Sequence, residues 1–244
     1  MSSKHRGLFH AASLLAIWAA SHVATVFYFD WNSRDVMLAP LIVCWLCWLY
    51  VGLFIVAHDC MHGSLTESPA WNRRIGRLCL MLYACFDFDA MQKKHREHHR
   101  YAGTARDPDF YVADGPAPFR RWYFKFFREY SSLRQYLSIT AVSWIYILLF
   151  EAPLENVLVF WALPAICSSV QLFAFGTYLP HRPDGSPFAD AHHARSNDYP
   201  HWLSLLTCFH FGYHHEHHVS PELPWWRLPE ARAGAETRET VQVG

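Results

Sequence analysis

Ionisable side chains are scarce in this chain of 244 residues, and their absence is patterned. Charged residues make up 17% of the sequence, against roughly 25% in an average soluble protein. No net charge remains either, because 21 Lys and Arg balance 21 Asp and Glu. That excludes a general basic surface for nucleic acid and an acidic disordered segment. No GxGxxG fingerprint occurs, so no dinucleotide-binding turn is expected. Repeats and low-complexity tracts are absent as well. The seven cysteines are odd in number and irregular in spacing, which excludes a disulfide framework and leaves reduced thiols as the expectation.

The missing charges leave four gaps. Residues Gly7–Phe29 and Val36–His58 each hold 23 residues without Asp, Glu, Lys or Arg; Asn156–His181 holds 26 and Gln135–Phe150 holds 16. A bilayer core of about 30 Å takes roughly 20 apolar helical residues. The gaps therefore predict transmembrane helices over about 8–29, 36–57, 137–150 and 157–179. The first apolar run continues past Ala19-Ala20-Ser21 to Phe29, so it is expected to be a retained span rather than a cleaved signal peptide. Two hairpins result. Their short turns contain a single basic residue, Arg34, and the other 20 lie in the N-terminal tip, the middle segment and the tail. By the positive-inside rule those three regions and both termini are cytoplasmic. Ile75–Met91, apolar but interrupted by Asp87 and Asp89, reads as an interfacial or re-entrant helix. Residues 1–230 read as one membrane domain and 231–244 as a disordered tail.

What the chain has in excess is histidine, 17 residues. Three clusters stand out: His58-Asp59-Cys60-Met61-His62, His95-Arg96-Glu97-His98-His99 and His214-His215-Glu216-His217-His218. On a helix, residues i and i+4 differ by 40°. His58 and His62 then share a face, and His95/His98/His99 and His214/His217/His218 each fall within a 100° arc. His210 precedes His214 by four residues and shares its face. Glu97 and Glu216 point elsewhere, as partners for imidazole N–H groups. Eight imidazoles exceed the four to six ligands of one metal, so two metals are implied. Imidazole suits zinc, copper, iron and nickel, but a structural zinc site would use about four ligands, usually with some Cys. Two irons cycling between redox states fit better.

The patterns HxxxH, HxxHH and HxxHH resemble the histidine boxes of the membrane fatty-acid-desaturase-like di-iron superfamily. Longer strings resemble the bacterial β-carotene ketolases within it: His58 to Gly63, His95 to Arg100 continuing to Ala105-Arg106-Asp107-Pro108-Asp109, Thr177 to Arg182, and Phe209-His210-Phe211-Gly212-Tyr213 before the third box. The resemblance covers roughly Leu41 to Trp226. It implies His58, His62, His95, His98, His99, His214, His217 and His218 as iron ligands and His181 as a ninth. His210 and His215 are left as possible further ligands, and Asp59, Asp107 and Asp109 as groups supporting the ligands. The fold so implied is an all-α integral membrane protein with four transmembrane helices and a cytoplasmic His-rich di-iron cap.

The activity so implied is O2-dependent ketone formation at ring carbon 4 of β-carotene, by two successive hydroxylations and loss of water. Electrons would come from ferredoxin or a similar donor, and the membrane would be a bacterial inner membrane. The rival readings are a fatty-acid desaturase or hydroxylase, a β-carotene 3-hydroxylase, a zinc hydrolase of membrane lipids and a non-enzymatic His-rich metal carrier.

Overall fold

The computed structural model describes residues 3–32, 35–112 and 118–243; Arg34 lies outside them. Among the described residues every regular element is helical, with no strand. Three helices are long and apolar enough to cross a membrane: Arg6–Tyr28, Val36–His62 and Leu154–His181. The chain is accordingly a membrane protein. The span expected at 137–150 is a shorter apolar helix, Leu133–Leu149. At 1.5 Å per residue it reaches about 25 Å.

The first span is α1 (Ser3–Tyr28), and the second is formed by α2 (Ala39–His62). α2 is central: more than half of its span is buried, against 28% for the first and 39% for the third. It packs on α1, on the third span and on α3 (Pro69–Ala84). Close approach is possible where α2 has Gly52, since a Cβ there would stand 2.8 Å from both Leu14 and Phe209. The other faces of α1 and α2 expose Ile17, Val23, Leu41 and Trp45, as lipid-facing helices do.

The apolar run Ile75–Met91, expected as one interfacial helix, is two helices. Cys85 adopts a left-handed φ of 55° and ends α3, and the Asp87 carboxylate then accepts the Ala90 N–H at 2.9 Å to start α4 (Phe88–Tyr101). The two charges that interrupt the run thus serve a helix start. Amphipathic α5 (Phe119–Tyr130) follows, then α6 (Leu133–Trp144), which widens into a π turn at Ile145–Leu149.

The third span, α7 (Leu154–His181), contains π turns at Val157–Ala162 and Ala174–Tyr178. Each precedes a proline, Pro164 or Pro180, whose missing N–H and ring disturb the i−4 ladder. At the far end Asn156 ties α7 to α1, accepting from Trp31 Nε1 at 2.6 Å and donating to the Phe29 carbonyl at 3.0 Å. Short helices α8 (His201–Cys208) and α9 (His214–Val219) complete the cap. The last helix, α10, runs Leu228–Val243, into the stretch expected to be a disordered tail. Its first turns are anchored where Arg232 pairs with Glu216 at 3.1 Å and Asp198 at 2.5 Å.

Candidate metal centre

Each histidine cluster sits where a helix starts or stops. α2 ends immediately after His62 because Gly63, at φ 76°, turns the chain and donates its N–H back to the Asp59 and Cys60 carbonyls. His58 and His62 therefore occupy the last turns of a buried span. α4 carries His95, His98 and His99 along one face. α9 is reached through two consecutive left-handed residues, Phe209 and His210 at φ 48° and 62°, which turn the chain from α8 into the third cluster. His181 ends α7.

The nine imidazoles meet in two groups. His58, His62, His95, His99 and His217 form one, and His98, His181, His214 and His218 the other; in each group the candidate donor atoms all lie within 4.8 Å of one another. The second and third clusters are divided between the groups by the same rule. Their i,i+4 pairs, His95/His99 and His214/His218, stay together, and the remaining residue, His98 or His217, crosses to the other group. His99 and His218 stack at 4.2 Å where the groups adjoin.

These geometries fit a metal in each group. Two ligand nitrogens about 2.1 Å from one ion stand roughly 3.0–3.4 Å apart. The Nε2 pairs His98/His218, His181/His214, His214/His218 and His99/His217 measure 3.2, 3.1, 3.0 and 3.0 Å, and His62/His95 closes to 2.6 Å. Protons can join at most two of the three close Nε2 pairs within the four-histidine group. His98 Nδ1 faces the Asp107 carboxylate at 3.0 Å and His181 Nδ1 the His193 carbonyl at 2.7 Å, both acceptors. Each ring therefore carries its proton on Nδ1 and aims an Nε2 lone pair inward. His214 and His218 leave Nδ1 buried without a partner among the described residues.

Electrostatics agree. Burial, reinforced by neighbouring imidazoles, holds His95, His99, His214, His217 and His218 below the ordinary histidine range, so they are neutral with lone pairs free. His98 differs: burial disfavours its charge, but Asp109 and Asp107 outweigh burial and raise it. Burial raises Asp109, which accepts a hydrogen bond from Tyr130 and lies 3.8 Å from His98.

Several expected roles fall elsewhere. Glu97 lies on the outward side of α4, lining a basic cleft, so it supports no imidazole. Glu216 accepts from Ser196 and Arg232 instead, tying loop and tail to α9. His215 points outward to Asp190 at 2.9 Å, and His210 stacks on Tyr213 and packs at a tilt against His201; neither joins a group. Asp59 is buried 3.7 Å from His58 and accepts the Trp225 N–H. Asp107 contacts His98 directly. Sequence reasoning missed the His193 carbonyl and Tyr130. A backbone oxygen has no residue signature, and Tyr130 meets Asp109 only through the packing of α5.

Beside both groups lies an apolar cavity. His58, His95, His98 and His214 form its polar end, with Phe54, Met61, Met91, Phe126, Leu172 and Phe211 among its walls.

A helical membrane protein with such clusters has known counterparts. The sequence profile of the fatty acid desaturase family matches residues 34–151 and 133–240. A β-carotene ketolase of Paracoccus sp. (strain N81106 / MBIC 01143) is 46% identical over 229 residues, 93% of this chain and 92% of that protein. A β-carotene ketolase of Haematococcus lacustris is 37% identical over 224 residues, 88% of this chain and 68% of that one. A chloroplastic omega-6 fatty acid desaturase of Spinacia oleracea is 23% identical, over 80% of this chain and 52% of the relative. The chain belongs to the fatty acid desaturase family and, within it, to the β-carotene ketolases. It is an enzyme, an oxidoreductase.

Proposed function

We propose that the chain is a di-iron oxygenase that uses O2 to place a ketone at carbon 4, then carbon 4′, of β-carotene, giving echinenone and then canthaxanthin. The observation that carries this reading is the pair of convergent imidazole groups beside one apolar cavity. Ketolase relatives along nearly the whole chain support the carotenoid substrate. Bound iron would supply the activation of O2 and the removal of hydrogen from a C–H bond. His58, His62, His95, His99 and His217 would hold one iron, and His98, His181, His214 and His218 the other.

The chain's own residues do the rest. Asp107 and the His193 carbonyl hold the Nδ1 protons of His98 and His181, which keeps both Nε2 atoms aimed inward. Phe126, Phe211, Met61 and Leu172 exclude water and receive an apolar ring with carbon 4 toward the imidazoles. Each hydroxylation takes one O2, two electrons and two protons; one oxygen atom enters the C–H bond and the other leaves as water. Carbon 4 is allylic, so its C–H bond is weak. If the ring keeps its place after the first oxygen is added, a second hydroxylation gives a gem-diol, and loss of water gives the ketone. Release after one turn would give an alcohol.

In this reading Leu133–Leu149 completes a four-span, two-hairpin topology. The metal cap and both termini face the cytoplasm of a bacterial inner membrane, residues 1–230 form one domain, and an electron-transfer protein such as ferredoxin supplies the electrons. The test is the metal content of the purified protein. About two irons per chain are expected, and one tightly bound zinc without iron would overturn the reading.

A further inference from the structure

The helix that carries three of the nine imidazoles has a second face. Opposite His95, His98 and His99, α4 exposes Lys93, Arg96 and Arg100. Arg106, just beyond the helix, lies 3.8 Å over the Tyr101 ring and donates to its hydroxyl at 2.7 Å. Arg73 and Arg77 of α3 join the patch, both paired with Asp89, at 2.9 and 2.6 Å. Six basic side chains thus meet three carboxylates, Glu67, Asp89 and Glu97, in a chain with no net charge.

Two clefts meet on this patch. One of about 330 Å³ is lined by Lys93, Arg96, Arg100, Tyr101 and Arg106. The other, of about 310 Å³, shares Gln92 and Arg96 with it, and its wall reaches His62 of the five-histidine group. That group lies nearer the surface: His62 and His99 are only half-buried, whereas all four members of the other group are buried. Patch and imidazoles are separated by the width of one helix, about 10 Å.

We propose that this outward face of α4 is the docking surface for a small acidic one-electron carrier protein. The inference rests on the oxygenase reading. Each ring ketone consumes four electrons, two per hydroxylation, so a one-electron carrier must bind and leave four times for each ketone. Small, weak contacts steered by opposite charge meet that demand, because they raise the association rate without slowing release. The anionic surface of a bilayer also attracts basic residues. The composition of α4 argues against it, since no large apolar side chain is exposed along α4 among its cations, whereas α3 exposes Trp71, Leu78 and Met81 near Arg73 and Arg77. α5 shows the contrasting pattern, with Arg120, Arg121 and Arg128 interspersed with exposed Phe124 and Phe127.

The test uses the full, metal-loaded chain in phosphatidylcholine nanodiscs, with a [2Fe–2S] ferredoxin of net negative charge as probe. The dissociation constant is measured against salt concentration. Lys93→Glu/Arg96→Glu/Arg100→Glu is expected to weaken binding about 10-fold or more at low salt and to abolish the salt dependence. The corresponding triple Gln variant should fall between, and Arg120→Glu/Arg121→Glu should bind like the wild type. Ketone formation driven by reduced methyl viologen, a small cation that needs no acidic partner, should be unchanged in the triple Glu variant. Unaltered ferredoxin binding by that variant would overturn the proposal. So would an equal loss in the α5 variant, an equal loss of the methyl-viologen-driven rate, or binding that depends only on added phosphatidylglycerol. If the wild type forms no ketone with either reductant, the oxygenase reading fails instead, while the dissociation constants still report on the surface.

Discussion

Asp107→Asn is a near-isosteric change that isolates the orientation of one imidazole. The buried Asp107 carboxylate accepts three hydrogen bonds: from His98 Nδ1 at 3.0 Å, from the Gly103 N–H at 3.0 Å and from the Asp109 N–H at 2.8 Å. An amide keeps the volume but replaces one acceptor oxygen with an NH2 donor. At Oδ1 that donor faces both His98 Nδ1–H and the Asp109 N–H, and at Oδ2 it faces the Gly103 N–H. If it faces His98, the ring is driven to the other tautomer and the proton moves to Nε2, the atom that faces His218 at 3.2 Å. In either position a backbone N–H is left unpaired at a cost of about 1–3 kcal/mol. Losing such an orienting partner lowers metal affinity or activity by about 10- to 100-fold. The loss should concentrate in the four-histidine group, so iron should fall from about two per chain toward one. The assay is iron per chain in purified protein, with the rate of 4-ketone formation in membranes and the protein level as a folding control. Wild-type iron and rate in Asp107→Asn would refute the role given to this carboxylate.

Four further outcomes follow. His98→Ala or His217→Ala should abolish ketone formation while the protein still accumulates in the membrane, as immunoblots of membrane fractions against pigment extracts will show. Gly176→Ala would place a Cβ 2.4 Å from the Phe211 ring, which lines the cavity, so the turnover of β-carotene should drop several-fold with iron retained; unchanged kinetics would refute the tight fit. The pKa values of His95, His99, His214, His217 and His218 are depressed in the folded chain, so the unfolded chain binds more protons as the pH falls through about 6.5. Stability is then full above that pH and lost below it, by up to about 1.4 kcal/mol per group and pH unit, and the melting temperature of the metal-free protein in detergent should fall between pH 7 and pH 5. A reporter fused after Gly244 should be active only when cytoplasmic; periplasmic activity would contradict the orientation.

How much of this was legible in the sequence differs from element to element. Gaps in charge locate α1, α2 and α7 because the bilayer core demands both length and apolarity, and both are visible in a one-dimensional string. The break at Cys85 was not visible, because a left-handed non-glycine residue has no compositional mark, although the Asp87 cap two residues later was a usable signal. The three clusters pointed to two metals. Their division did not follow from spacing: an arc of 100° shows that His95, His98 and His99 share a face, but not that His98 meets α7 and α9 while its neighbours meet α2. That Glu97 and Glu216 lie off the imidazole arc was legible; their partners, a basic cleft and Arg232 rather than the expected imidazole N–H groups, depend on tertiary packing.

The central claim is that this site oxidises carbon 4 of a carotenoid ring twice. The pigment profile of β-carotene-producing bacteria expressing the chain tests it most directly. Echinenone followed by canthaxanthin is the expected result. Accumulation of 3-hydroxylated rings without ketone, or altered acyl chains beside unchanged β-carotene, would contradict it.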